Sequence, residues 1–208
     1  MKTVENKNKR ITIKLENPDE VYNLINALDF YSRIWIGQYL EINTLLSWSK
    51  KTMFGLKTEK DVIPLFQKIR EQLLPELDYD LNGSYGIYSK KTNENARISY
   101  DIQQVVRYKQ AYFLHPEGGN TVDYSYPLQT CKSIELPKAS IQYKDNKDKY
   151  SMKLEFSDEC QLVVIQKALA VKQCLDTGKI KKLFSYYTNN EIALNYAAKV
   201  EDYYRQFE

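Results

Sequence analysis

The chain has 208 residues, enough for a sizeable core in one domain or two small ones. Hydrophobic residues make up 43% of it and charged residues 27%, as in ordinary globular proteins. A formal net charge of +3 is too small to indicate a dedicated nucleic-acid binder. The N-terminus resembles no secretory signal, and no stretch approaches the roughly 18 apolar residues of a membrane span. We therefore expect a cytoplasmic protein without a membrane partner.

Cysteine and tyrosine usage carry further expectations. Three scattered cysteines, Cys131, Cys160 and Cys174, argue against a disulfide framework and favour a reducing compartment. Cys160 and Cys174 lie in a helical apolar pattern that predicts buried thiols. The 18 tyrosines suit a surface that recognises a partner, including a second copy of this chain. An AT-rich genome, which raises Tyr, Lys and Asn together, explains the same count without any selection for binding.

The N-terminal elements are a strand and a long helix. Arg10–Glu16 alternates apolar and polar residues, which predicts a half-buried strand. Asn17–Ser49 then predicts a helix, capped by its first residue and with Pro18 in its first turn. Fully helical, this segment would span about 48 Å, so we expect a central element or a bend at Gly37. Its apolar face comprises Val21, Leu24, Leu28, Tyr31, Trp35, Ile42, Leu45 and Leu46.

A second helix and a glycine-containing loop follow. Asp61–Leu74 is predicted to form a helical hairpin with the first helix and to end before Pro75. The loop Asp80–Ser89 contains two glycines. It is interpreted as a turn that packs Tyr85 and Tyr88 on the core, with an anion cradle as the alternative.

The third helix, Asn93 to Tyr112, has two different faces. Its inward stripe comprises Ile98, Ile102, Val105 and Val106. Its polar and aromatic stripe comprises Arg97, Tyr100, Asp101, Gln104, Arg107 and Tyr108. That second stripe is either a solvated face rich in side-chain pairs or a recognition face for a phosphate, a base or a protein.

Beyond Thr121 the hydrophobic period changes from helical to alternating. Alternation around Tyr124, Ile134, Ile141 and Met152 predicts an antiparallel sheet, with Pro137 confined to an edge or a bulge. Ser157 is predicted to cap a further helix whose buried face holds Leu162, Ile165, Leu169 and Leu175. A final helix is predicted to begin at Thr188 or Asn189.

The pattern predicts an α+β fold, in which a helical layer packs on a small antiparallel sheet. The layer comprises the long N-terminal helix, the helical hairpin and the C-terminal helices. We expect one domain over residues 1–208, with a loose leader at 1–9, a mainly helical part at 10–112, and strands plus helices at 113–208. Lys14-Leu15-Glu16 and Lys153-Leu154-Glu155 each precede a capped helix, which suggests that the first strand joins the later sheet.

Enzymatic site motifs are missing from the sequence. It contains no GxGxxG, GxxxxGK[ST], HExxH, CxxC or GxSxG pattern, and only one histidine. The sequence therefore favours a protein that is not an enzyme and needs no cofactor, without settling the question.

Four segments resemble a family of small proteins without an assigned activity, from low-GC Gram-positive bacteria, their phages and other mobile elements. They are DFYSRIWIGQY (29–39), PELDYDLNGSYGIY (75–88), ARISYDIQQVVRY (96–108) and HPEGGNTVDY (115–124), within about the first 125 residues. The resemblance carries over no catalytic residue. It implies a small phage-borne protein of the host cytoplasm, of a kind that often binds and blocks a host factor such as an antiviral defence system.

The leading hypothesis is a non-enzymatic binding protein that sequesters a small anionic or nucleotide-like ligand or occludes a protein partner. Arginines would hold anionic groups, tyrosines would stack, and an aspartate would orient an arginine. The predicted site comprises Arg33, Arg97, Arg107, Tyr85, Tyr100, Asp101 and His115. It requires the polar faces of the first and third helices to share one cavity.

Two alternatives remain open at this stage. A metal-dependent phosphodiesterase or nuclease would use Asp101, Glu117 and Asp123 as ligands. A nucleic-acid-binding regulatory protein would use the small basic cluster of Lys179, Lys181 and Lys182.

Overall fold

The computed structural model describes residues 11–39, 67–68, 70–71, 73–77, 83–117, 126–143 and 146–176. Within these ranges, three helices and a three-stranded antiparallel sheet form an α+β fold, as predicted. None of the described helices is long and apolar enough to cross a membrane. Several predictions lie outside the described residues: the 1–9 leader, the first helix beyond Tyr39, the alternation at 122–125, the basic cluster at 179–182 and the final helix.

The sheet joins a strand near the N-terminus to two strands from the later part of the chain. Strand β1 (Ile11–Leu15) pairs with β3 (Tyr150–Phe156), and β3 also pairs with β2 (Lys138–Tyr143), giving the order β1-β3-β2. Both pairings are antiparallel, with Ile13 opposite Leu154. The expectation that the first strand joins the later sheet is confirmed. Pro137 directly precedes the edge strand β2, where a missing N–H is tolerated.

The central strand β3 shows the clearest alternation of the chain. Tyr150, Met152, Leu154 and Phe156 are all buried, while the intervening side chains are exposed or half-buried. Tyr143 pairs with Tyr150 at the adjoining ends of β2 and β3, as the predicted hairpin requires. Two predicted strand positions are wrong. Tyr126, which continues the predicted alternation of Val122 and Tyr124, and Ile134 both lie outside any strand, in the segment that leads to β2.

Helix α1 (Pro18–Ile36) is the centre of the helical layer. The Asn17 side chain accepts from the Glu20 N–H at 2.9 Å, which caps the helix as predicted. Helix α1 packs against α2 (Glu94–Leu114), α3 (Glu159–Asp176) and the sheet. The Ser99 hydroxyl donates to the Leu28 carbonyl at 2.9 Å, so even a polar contact between α1 and α2 is buried.

The end of α1 lies at the predicted glycine. Gly37 has φ +88°, and its N–H donates to Ile34, while the Gln38 N–H donates to the Arg33 carbonyl at 2.9 Å. This pair of bonds is a Schellman cap, which requires a left-handed residue and favours glycine. The long predicted helix is thus interrupted at Gly37, as the sequence suggests.

Helices α2 and α3 differ in detail from the sequence prediction. Helix α2 begins after Asn93 and runs two residues beyond the predicted end, to Leu114. At the start of α3, the Cys160 N–H donates to the Asp158 carboxylate. The capping side chain is therefore one residue after the predicted cap, Ser157. Leu162 and Leu169 are only half-buried, whereas Ile165 is buried as predicted. The other buried side chains of α3 are Gln161, Val164, Ala168, Ala170, Val171 and Cys174. Because α3 packs against α1, α2 and β3, its buried surface extends beyond a single apolar stripe.

A substitution at Gly37 tests the cap. A Cβ there would lie 2.9 Å from Leu77 Cδ2 and would force an L-residue into the left-handed region. Gly37→Ala is expected to lower the free energy of unfolding by about 1–3 kcal/mol, measured by urea denaturation. Gly86→Ala is the control, since a Cβ at Gly86 meets nothing within 4 Å. Equal losses in both variants would contradict the assigned role of Gly37.

Candidate functional site

Three chain segments meet where α1 ends. A Cβ on Gly37 would lie 3.2 Å from Leu74 Cδ1 and 2.9 Å from Leu77 Cδ2, so those side chains cover the cap. From another direction, the Tyr85 N–H donates to the Ile36 carbonyl at 2.8 Å. The carbonyl end of α1 is therefore enclosed by two segments that are distant from it in sequence.

Arg70 is a buried charge beside this junction. Only 4% of the residue is exposed, and neither its Nε nor its Nη2 has a hydrogen-bond acceptor among the described residues. The Leu74 N–H donates to the Arg70 carbonyl at 2.7 Å, so the backbone here is helical. Burying a charged donor without an acceptor costs more than the roughly 1–3 kcal/mol of a neutral one. Arg70 is therefore the described cation with the strongest unmet demand for an acceptor.

Tyr39 accompanies Arg70 without neutralising it. The phenol is 1% exposed and donates to the Ile34 carbonyl at 3.1 Å. Burial raises the pKa of Tyr39 well above its ordinary value, and the nearby Arg70 guanidinium only partly opposes that rise. Tyr39 is thus a neutral hydroxyl at physiological pH, and the positive charge of Arg70 is not balanced by a phenolate.

Arg70 also lines a cavity of about 250 Å³. The described residues around this cavity, which we call the Arg70 cavity, are Gln67, Arg70, Glu71, Leu74, Pro75 and Leu77. Its volume lies just below the roughly 300–1,000 Å³ of typical ligand pockets. The cavity therefore suits a small molecule, or one group of a larger molecule, rather than an entire nucleotide.

Sequence reasoning missed Arg70, although a signal for it exists. Arg70 follows Phe66 by four residues and precedes Leu74 by four, so it lies on the apolar line of the predicted helix Asp61–Leu74. A charged residue on a core line is informative because it requires a partner once packing covers it.

Arg33 lies on the last turn of α1 and is paired within its own helix end. Its Nε donates to Asp29 Oδ2 at 2.9 Å, as the four-residue spacing predicts, and its Nη1 donates to Gln38 Oε1 at 2.8 Å. Both ion-pair side chains are half-buried. These contacts describe an arginine that supports the α1 cap.

Arg97 and Tyr85 come together through one loop. Arg97, in the first turn of α2, donates to the carbonyls of Ile87 at 3.2 Å and Ser89 at 2.5 Å. The loop also carries Tyr85, whose half-buried ring lies 5.8 Å from Lys91 Nζ. Arg97 therefore holds the loop in place. Tyr88 is 65% exposed, so the expectation that it packs on the core is wrong.

Asp101 anchors the segment that leads to β2. Its Oδ1 accepts from the Thr130 hydroxyl at 2.7 Å, and its Oδ2 accepts from the Cys131 N–H at 2.8 Å. The Thr130 N–H reaches both oxygens, at 2.8 and 3.0 Å. Burial raises the pKa of Asp101 above its ordinary value, while donors from Cys131 and Thr130, followed by the charge of Arg97, act in the opposite sense. Asp101 is a structural anchor in this arrangement.

The remaining predicted site residues lie elsewhere on α2. Tyr100 and Arg107 are half-buried along the helix, and His115 is exposed directly after its end. A second, very small cavity touches Asp101 beside Cys131 and Gln161. Within the described part of the chain, neither cavity is lined by Arg33, Arg97 or Arg107.

Asp101, the central ligand of the alternative metal site, is engaged by hydrogen bonds within the protein. Both Asp101 oxygens are occupied by protein donors, Glu117 is exposed, and Asp123 lies outside the described residues. Across the residues that the structure describes, no group of three or more His, Cys, Asp or Glu side chains is arranged to hold a metal ion.

The sequence predicted Cys160 and Cys174 to be buried thiols. Cys174 is buried, as predicted, and so is Cys131, whereas Cys160 is only half-buried, so the prediction for Cys160 is wrong. Burial raises the pKa of Cys160 to about 12, and the neighbouring Asp158 carboxylate adds to that rise. The thiol is therefore protonated and weakly nucleophilic at physiological pH.

Comparison with known proteins adds no relative. No protein-family model matches the chain, and neither curated proteins nor solved structures yield a match. The resemblance to the small phage-borne family stays a prediction.

The anchoring role of Asp101 is testable. Asp101→Asn exchanges a carboxylate oxygen for an N–H₂ group that would face backbone donors, so the free energy of unfolding is expected to fall by about 1–3 kcal/mol. Urea denaturation measures the change. Asp148→Asn, which removes the same charge at an exposed turn, serves as the control and should stay within about 0.5 kcal/mol of the wild type. A loss below that limit in Asp101→Asn would contradict the anchor.

Proposed function

We propose that this chain is a non-enzymatic binding protein that captures an anionic group in the Arg70 cavity. The observation that carries the proposal is the buried Arg70 guanidinium, which lines a cavity and has two nitrogens without an acceptor among the described residues. An anion there would form charge-assisted hydrogen bonds, the strong class of hydrogen bond. This site replaces the predicted one on α1 and α2, where Arg33 and Arg97 already have partners.

The two nitrogens are shielded from solvent in this conformation. Ligand entry therefore requires the guanidinium to turn toward the cavity that the same side chain already lines. The gain from pairing a previously unpaired charge favours such a turn. Tyr39, whose hydroxyl donates to the Ile34 carbonyl near the negative end of the α1 dipole, lies within electrostatic reach of Arg70, and such a dipole end favours a nearby positive charge.

The mode of action follows the leading sequence hypothesis. A cytoplasmic protein of this kind acts by sequestering a small anionic ligand, or by occluding a protein that carries an exposed anionic group. The resemblance to small phage-borne proteins makes inhibition of a host antiviral defence system the biological role we propose. Its support is the resemblance together with the accessible volume and charge of the Arg70 cavity.

Arg70→Met separates a binding arginine from a structural one. Methionine keeps the apolar stem and removes the unpaired charge, so the free energy of unfolding without ligand should stay equal or rise by about 1–3 kcal/mol. Phosphate or acetate, added at constant ionic strength, should raise the Tm of the wild type and leave that of Arg70→Met unchanged. Differential scanning fluorimetry measures both effects.

Lys68→Met is the matched control, because Lys68 is an exposed cation of the same segment and does not line the cavity. It should retain the response of the wild type to both anions. A large loss of stability in Arg70→Met, with no response of the wild type to either anion, would show that Arg70 is structural and would refute the proposed function.

A further inference from the structure

The Arg70 cavity presents two opposite charges that are not paired with each other. Arg70 and Glu71 both line it, yet no ion pair joins them among the described residues. Neighbouring helical residues point about 100° apart, so these two side chains cannot face each other along the helix. The arrangement provides one cationic and one anionic position at separate points around a small space.

The unpaired nitrogens of Arg70 specify the shape of the anion. Nε–H and the adjacent Nη2–H lie on the same edge of the planar guanidinium and point in parallel. Such a fork binds two oxygens of one group, as in a carboxylate or a phosphate. The edge of Arg70 that lacks acceptors is therefore the edge that makes bidentate contacts.

Glu71 discriminates between those two anions. Its carboxylate at the rim repels a dianion such as phosphate more strongly than a singly charged carboxylate, and it attracts an ammonium group. The other described lining residues are the polar Gln67 and the apolar Leu74, Pro75 and Leu77, which together provide an apolar patch. Leu74 and Leu77 also touch the α1 cap at Gly37, so that patch is held in place by the core.

From these features we propose that the Arg70 cavity binds a small zwitterion, an amino-acid-like molecule with an apolar side chain. The carboxylate pairs with the Nε and Nη2 edge of Arg70, the ammonium lies toward Glu71, and the apolar group contacts Leu74 and Leu77. The inference rests on the proposed function, because it names the ligand class for the same site. The volume of about 250 Å³ accommodates a molecule of this size.

Three probes of nearly equal shape test the inference by isothermal titration calorimetry: L-leucine, 4-methylpentanoate, which lacks the ammonium, and 3-methylbutylamine, which lacks the carboxylate. L-leucine is expected to bind in the millimolar range and about fivefold more tightly than 4-methylpentanoate, the upper end for one partly exposed ion pair. 3-Methylbutylamine is expected not to bind measurably, since it leaves the Arg70 fork without an acceptor.

Glu71→Gln should remove the preference for L-leucine over 4-methylpentanoate while leaving the binding of 4-methylpentanoate intact. Glu117→Gln, which removes an exposed carboxylate away from the cavity, should keep the preference. Since Glu71 is exposed, its substitution is not expected to impair folding.

The outcomes distinguish a failure of the zwitterion inference from a failure of the proposed anion binding at Arg70. Equal binding of L-leucine and 4-methylpentanoate, or binding of phosphate alone, would overturn the zwitterion inference and leave anion capture at Arg70 in place. Binding of 3-methylbutylamine as tight as that of L-leucine would also overturn the inference. Failure of the wild type to bind any of the three probes and phosphate would overturn both the inference and the proposed function.

Discussion

The left-handed turn at Gly37 is the constraint on which the rest of this structure depends. It ends α1 through a Schellman cap, in which the Gly37 and Gln38 N–H groups donate to the carbonyls of Ile34 and Arg33. Leu74 and Leu77 can approach because Gly37 carries no Cβ. Two residues beyond this turn, Tyr39 lies within electrostatic reach of Arg70, and the carbonyl of Ile36 accepts from the Tyr85 N–H. One backbone conformation thus brings the end of α1 against Leu74 and Leu77, which also line the Arg70 cavity.

The arginines of this protein differ in whether their guanidinium groups have hydrogen-bond acceptors, and this difference separates structural arginines from a candidate binding arginine. Arg33 meets Asp29 and Gln38, and Arg97 meets two backbone carbonyls, so each stabilises a cap or a loop. Arg70 is more deeply buried than either, yet its Nε and Nη2 have no acceptor among the described residues. Because a buried charge is costly when unpaired, the site that remains to be filled is the one at Arg70.

Polar contacts also hold the second half of the fold together. Asp101 gathers three donors from Thr130 and Cys131 and thereby fixes the segment that leads from α2 to the sheet. Strand β1 adds to β3, so the N-terminal part of the chain closes the sheet that the later part builds. The sequence suggested the Asp101 carboxylate as a metal ligand or as a group that orients an arginine. In the structure, this carboxylate instead accepts hydrogen bonds that stabilise the fold.

The sequence by itself determined the elements whose signals are local. Asn17 and Pro18 mark the start of α1, Gly37 marks its end, and strict alternation identifies β3, because caps and periodicity act within a few residues. The shared motif before two helices even indicated that β1 joins the later sheet. The Asp29–Arg33 pair followed from its four-residue spacing, but only the tertiary structure decided which other charged side chains have partners. Asp101 and Thr130, for example, are distant in sequence and meet only through packing. For the same reason it was the burial of Arg70 without acceptors for two of its nitrogens, and not residue type, that separated it from the arginines named beforehand.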